Sequence, residues 1–164
     1  MVIKYAKIHP CGRITPKELT STMFYGQYHH QLDDKGRLRI PPAFRKLLGD
    51  NPMLFCSFEK CLFIYTGEDF DKLVKERFSN ADLLDTDMND IKRAIFASTQ
   101  PLVEDKQGRV SLNSSFIEQC GMGKNIISIG ALDRVEIWDE EVYKAHMQAL
   151  DYKKIVAPFT SRNN

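Results

Sequence analysis

Residues 31–49 read QLDDKGRLRIPPAFRKLLG, and residues 102–121 read LVEDKQGRVSLNSSFIEQCG. Each stretch sets an Asp four residues before an Arg, a Gly immediately before that Arg, an alternating apolar run, and then a helix start. The residues are Asp33, Gly36 and Arg37 in the first and Asp105, Gly108 and Arg109 in the second. Superimposing Arg37 on Arg109, an offset of 72, lays Leu38 on Val110, Ile40 on Leu112, Phe44 on Phe116 and Gly49 on Gly121. With one extra residue in the second copy, CLFIYTGEDF falls on RVEIWDEEVY, which sets Leu62 on Val135, Ile64 on Ile137 and Tyr65 on Trp138. Few of these are identities, but the apolar register holds throughout, and this reads as an internal duplication.

Each copy parses alike. A first strand (25–32; 102–104) meets a tight turn, DDKG or DKQG, whose last residue favours the left-handed backbone that Gly adopts freely. A second strand follows, with Leu38 and Ile40, or Val110 and Leu112, on one face. Pro41-Pro42 opens a helix in the first copy, where Pro is tolerated, and Asn113 or Ser114 caps its counterpart. Gly49 and Gly121 end these helices. A hairpin and a closing helix, beginning near Gly67 and near Asp139, complete each copy. The expected organisation is a half at 27–70, linking helices at 71–98, a second half at 99–143, and a C-terminal helix and tail at 144–164. Residues 1–22 have no counterpart in the repeat and are expected to be an extension, disordered or not native, with Met23 a plausible alternative start. The tail from Pro158 is expected to be loose.

The chain of 164 residues carries a net charge of +1, an ordinary apolar fraction and no run of eighteen apolar residues, which excludes general disorder and a membrane-spanning helix. Four scattered cysteines do not make a disulfide framework, and a reducing cytoplasm is the simplest setting. The charge is uneven: 33–46 holds five bases against two acids, whereas 66–90 holds eight acids against three bases. Such opposition suits a polyanion ligand or head-to-tail self-association.

Catalysis is disfavoured. No phosphate-binding loop or nucleophile elbow is present, and no histidine sits in a nucleophile context. His29 and His30 leave a strand on opposite faces, so they cannot share a metal, and His30 reads as a core-edge residue. Cys56 and Cys61 lack the second ligand pair a zinc site needs. No cofactor or metal is expected. The D-x-x-G-R element remains. A turn explains its Gly and part of its Asp, but not the recurrence of Arg.

Arg37 and Arg39 form a basic row that Lys35 extends at the tip. A two-stranded β-ribbon fits the DNA major groove, where Arg donates two hydrogen bonds to guanine. Asp33 and Asp105 would orient Arg37 and Arg109, while Lys35, Arg39 and Arg45 would meet phosphates.

The segment MFYGQYHHQLDDKGRLRIPPAFRKLLG, with DKQGRVSL and IGALDRVEIWDEE, closely resembles the MraZ family from about Met23 to beyond Trp138. The resemblance implies an α+β fold of two tandem AbrB-like, swapped-hairpin halves, a pseudo-symmetric β-barrel-like domain with flanking helices. It implies a bacterial, cytoplasmic and nucleoid-associated repressor of the division and cell-wall gene cluster that begins with its own gene. It also implies a ring homo-oligomer that binds G-rich direct repeats in double-stranded DNA. The DNA-binding residues would be Lys35, Arg37, Arg39, Lys106 and Arg109, with Gly36 and Gly108 shaping the turns. The chain departs from the pattern in its leader, at Leu112-Asn113, and at Gln107, which stands where the first copy has Lys35. The second half is accordingly expected to contribute less affinity, with Arg37 outweighing Arg109. Swapped-hairpin folds also occur in antitoxins, but fourteen residues after Leu150 are short for a toxin-wrapping tail.

Overall fold

A computed structural model describes residues 23–78 and 85–160. The expectations for 1–22 and 161–164 lie outside them. The architecture is α+β, with antiparallel strand pairs throughout and six helices among the described residues. Strand β1 (Gln27–Gln31) leads through the first turn into β2 (Arg37–Arg39), helix α1 (Pro42–Leu48), the hairpin β3 (Met53–Cys56) and β4 (Leu62–Tyr65), and helix α2 (Gly67–Phe78). Helix α3 (Thr86–Ser98), capped by the Asp85 side chain, leads into the second series. There β5 (Gln100–Pro101) and β6 (Arg109–Ser111) precede α4 (Ser114–Cys120), β7 (Asn125–Gly130), β8 (Val135–Asp139) and α5 (Glu140–Ala149). Helix α6 (Tyr152–Thr160) closes the described chain. Its start is capped by Asp151, which accepts the Lys153 and Lys154 N–H groups, and the helix runs to Thr160.

Six strands form one sheet in the order β1-β7-β8-β4-β3-β5, and β2 pairs only with β6. Each first strand thus lies against the other series' hairpin, β1 on β7 and β5 on β3. In the two-stranded ribbon Arg37 faces Ser111 and Arg39 faces Arg109. Adding 72 to 37 and 39 gives 109 and 111, so exchanging the two strands reproduces the same pairs. At the sheet centre Leu62 faces Ile137 and Ile64 faces Val135. There the offset is 73, which carries 62 onto 135 and 64 onto 137. A pseudo-two-fold axis therefore passes near Leu38–Val110 and near Phe63–Glu136.

This topology corrects one expectation. The turns close as hairpin turns, with Asp33 N–H to Arg37 O and Asp105 N–H to Arg109 O, but the flanking strands do not continue as hairpins. Leu32 N–H is already donated to Lys124 O, beside β7, so β1 and β2 part into different sheets. A second expectation, a strand over 102–104, reduces to β5 and an isolated bridge from Glu104 to Val110. Pro101 has no N–H to extend the ladder.

The main core lies between the six-stranded sheet and the ribbon. Leu38, Ile40, Val110 and Leu112 project inward to meet Phe44, Phe116, Leu54, Ile64 and Ile137, all buried. The opposite face of the sheet is covered in two patches. Phe55, Tyr65 and Phe70 pack with Leu73, Val74 and Ile95 of α2 and α3. Trp138, Ile127 and Cys61 pack with Val142 and Tyr143 of α5. Cys56 and Cys61 therefore serve opposite faces of the sheet. His30, half-buried, reaches the Ser128 hydroxyl at 2.6 Å, and burial, with the neighbouring His29, lowers its pKa.

Candidate nucleic-acid interface

Since inward positions of β2 and β6 alternate with outward ones, burying Leu38 and Val110 turns Arg37, Arg39, Arg109 and Ser111 to the other side. The D-x-x-G-R spacing then determines how two of these arginines are held. Asp33 Oδ1 accepts the N–H groups of Lys35 and Arg37, each at 2.9 Å, and so builds the turn. Its Oδ2 accepts Arg37 Nε at 2.8 Å and Nη2 at 2.6 Å. In the second turn Asp105 Oδ1 accepts Gln107 N–H at 2.8 Å and Arg109 N–H at 3.0 Å, and Oδ2 accepts Arg109 Nε and Nη2, both at 2.8 Å. One carboxylate therefore shapes the loop with one oxygen and fixes the guanidinium with the other. The side-chain hydrogen bond from the partner arginine, helped by its backbone N–H, holds the pKa of each Asp down at about 2.

Fixing Nε and one side of Nη2 leaves the outer Nη1/Nη2 edge of each guanidinium pointing away from its carboxylate. That edge can donate two parallel hydrogen bonds to an acceptor pair, with little rotamer freedom left to lose. The two motifs are also linked, because Arg37 Nη1 lies 3.9 Å from Asp105 Oδ2.

Gly36 and Gly108 have φ of +69° and +70°, the left-handed region where a Cβ is strained. Each is overlaid on the other series' helix. A Cβ on Gly36 would stand 2.9 Å from Ile117 Cδ1 of α4, and one on Gly108 would stand 3.1 Å from Arg45 Nη1 of α1. Position 45 plus 72 is 117, so both supports obey the same pseudo-symmetry. Arg45, read in the sequence as a phosphate contact, is paired with Glu104 beneath the second turn and more than half exposed.

The remaining cations are unneutralised. Lys35 and Lys106 are exposed at the two tips, and neither forms an ion pair among the described residues. Arg39 is exposed too, without an acidic partner, and lies directly across the ribbon from Arg109. The Arg109 charge is offset by Asp105, which leaves Arg39 as the ribbon cation without an acidic partner among the described residues. Around the turns five bases (Lys35, Arg37, Arg39, Lys106, Arg109) meet three acids (Asp33, Asp34, Asp105). The sequence-derived residues are thus brought together on one face. The supports Ile117 and Arg45–Glu104 were missed as such; the apolar-versus-basic difference at aligned positions 117 and 45 was their only signal.

Elsewhere the described residues contain no cluster of three or more His, Cys, Asp or Glu placed to hold a metal. None of their helices is long and apolar enough to cross a membrane. Fold and surface define a class: an internally duplicated α+β protein whose halves exchange strands to present a braced-arginine ribbon. The family model described as "MraZ protein, putative antitoxin-like" matches residues 23–93 and 95–160. A protein of Clostridium tetani named "Transcriptional regulator MraZ" is 33% identical over 81% of this chain and 94% of its own. Proteins of the same name from Clostridium acetobutylicum and Dictyoglomus thermophilum are 38% and 40% identical, covering 73% and 74% of this chain and 83% of each of theirs. The chain belongs to the MraZ family.

Proposed function

We propose that the protein is a sequence-specific, DNA-binding transcription regulator that represses its own division and cell-wall gene cluster. The names of its relatives support regulation of transcription, and the ribbon supports DNA as the ligand. The observation that carries the reading is the pair of carboxylate-braced arginines, Arg37 and Arg109, on one ribbon face with Arg39, which is exposed and forms no ion pair among the described residues. A polyanion on that face would neutralise Arg39 and meet the free guanidinium edges. In this reading Arg37 and Arg109 donate to guanine O6 and N7 in the major groove of G-rich direct repeats. Lys35, Arg39 and Lys106 contact phosphates, and Asp33 and Asp105 orient the arginines. The strand exchange supports a swapped-hairpin, AbrB-like and barrel-like description, with halves at 27–70 and 99–143 joined by helices over 71–98. The protein acts in the cytoplasm, on the nucleoid, without a cofactor and without catalysis.

A ring homo-oligomer would align several such faces with repeated sites and raise affinity through effective concentration. Tyr152, Ile155 and Val156, exposed on α6, offer apolar surface for such self-association. The same surface favours the alternative, an antitoxin-like partner-binding protein. Titration of the DNA upstream of the protein's own gene cluster, against a shuffled duplex, is the direct test. Preference for the native duplex, lost when its repeats are changed, is expected. Equal affinity for both duplexes would overturn sequence-specific binding, and light scattering showing only monomers would overturn the ring.

A further inference from the structure

Cys56 and Cys120 come from opposite series and meet in the core, Sγ to Sγ at 3.8 Å. Cys56 ends β3 and is half-buried, whereas Cys120 is the buried last residue of α4. The aligned counterpart of Cys120 is Leu48 (120 less 72) and that of Cys56 is Ile129 (56 plus 73), so the thiol pair breaks the pseudo-symmetry. Cys56 packs on the main-core side of the sheet but is only partly buried there, and that partial exposure gives a small oxidant access to it.

We infer that Cys56 and Cys120 form a peroxide-oxidisable thiol pair whose disulfide weakens the first turn's grip on DNA. The two thiols are unequal. Cys120 donates its S–H to Cys56, which favours the Cys56 thiolate, and that donated bond, with burial adding, pushes the Cys120 pKa upward. Cys56 is thus the attacking sulfur and Cys120 the resolving one. The Cys56 thiolate attacks one peroxide oxygen. The S–O bond forms, the O–O bond breaks, and the departing hydroxide takes the Cys120 proton to become water. The Cys120 sulfur then displaces the sulfenic oxygen, which leaves with a proton from solvent as a second water. Two thiols are oxidised and one peroxide is reduced. Cys61 does not compete. It faces the other side of the sheet, and burial first, with the Glu136 and Glu59 charges adding, pushes its pKa up to about 12.

The coupling to DNA runs through α4. Bonding would close the sulfurs to about 2.05 Å, drawing the C-terminal end of α4 toward β3. The same helix carries Ile117, on which Gly36 and the first turn rest. This second step rests on the DNA-binding reading, whereas formation of the bond does not.

The test treats the full chain with hydrogen peroxide, maps disulfides by peptide mass spectrometry, and titrates operator DNA before and after reduction. Cys11 lies outside the described residues, and a Cys11→Ser background removes its thiol from the experiment. A Cys56–Cys120 bond is expected, absent in Cys56→Ser and in Cys120→Ala, with affinity reduced at least about fivefold on oxidation, the low end of common coupling strengths, and restored by dithiothreitol. Failure of the bond to form in folded protein would overturn the thiol assignment. Bond formation with unchanged DNA affinity would overturn the coupling. Absence of operator binding by the reduced protein would instead count against the DNA reading, leaving the mapped bond to stand or fall on its own.

Discussion

The first turn rests on an apolar methyl group and the second on an ion pair, although both hold their arginines with the same set of hydrogen bonds. In the first, Gly36 lies over Ile117; in the second, Gly108 lies over Arg45, which is tied to Glu104. The strand row differs as well, with Arg39 in the first copy aligned to Ser111 in the second. Read along the chain, these differences make the first copy the basic one. In space the distribution changes. Strand exchange places Arg39 across from Arg109 and Arg45 beneath the second turn, while Arg37 faces Ser111 and reaches the second carboxylate, Asp105. Charge written in the first copy is delivered to the second turn.

The largest expected effect tests that equalisation. Arg37→Ala and Arg109→Ala are each predicted to cost about 1–3 kcal/mol in specific DNA affinity, the usual worth of a bidentate guanine contact. Their difference should stay under about 1 kcal/mol. Near parity is the expected outcome here, against the dominance of Arg37 expected from composition alone. Titrations of both folded variants on one operator decide it, and a wild-type-like Arg109→Ala would restore the lopsided picture.

The supports give the next effect. Replacing Gly36 or Gly108 by Ala forces an L-residue into the left-handed region, at about 1–2 kcal/mol of stability. Gly36→Ala is predicted to cost more, since Ile117 is packed against the core and branched at Cβ, whereas Arg45 is more than half exposed and can swing away. Urea denaturation of both variants measures the gap; equal midpoints would show that the two supports yield alike.

Lys35 and Lys106 should matter less individually. Each substitution by Ala is predicted to weaken binding to all duplexes similarly and to lower the salt slope by about 1, as expected for a phosphate contact. Affinity measured from low to high salt checks this. A change in sequence preference at an unchanged slope would reassign the residue to base reading.

Much of this was legible along the chain. The turns, Leu38, Ile40, Val110 and Leu112 as inward residues, the Asn113 cap and the glycine stops all follow from local chemistry that a short window contains. The 72-to-73 change in offset was also visible, and it reappears as the shift between the ribbon pairs and the β4–β8 pairs. Pairing was not legible. Whether β1 continues beside β2 or leaves for β7 depends on which partner offers a complete ladder, and that choice is made by residues nearly a hundred positions away. The same non-locality hid the role of Arg45, since a basic residue on a short helix looks alike whether it meets phosphate or Glu104.

The smallest effect sharpens the comparison at single carboxylates. Asp33 and Asp105 both titrate at about 2, below the ordinary 3.8, because each accepts from its arginine and from the turn backbone. A depressed folded pKa means that the stabilisation is present above the unfolded value, and it fades as pH falls from about 3.8 through about 2. The partners are not equivalent, however. Asp33 is ion-paired to Arg37, while Asp105 is paired to Arg109 and also lies 3.9 Å from Arg37. Carbon-detected NMR titration should therefore find Asp33 rising further in Arg37→Ala than Asp105 rises in Arg109→Ala, and Arg37→Ala should lift Asp105 slightly as well. If Asp105 ignores the loss of Arg37, the link between the turns is too weak to matter. The two motifs would then be independent copies that happen to share a face.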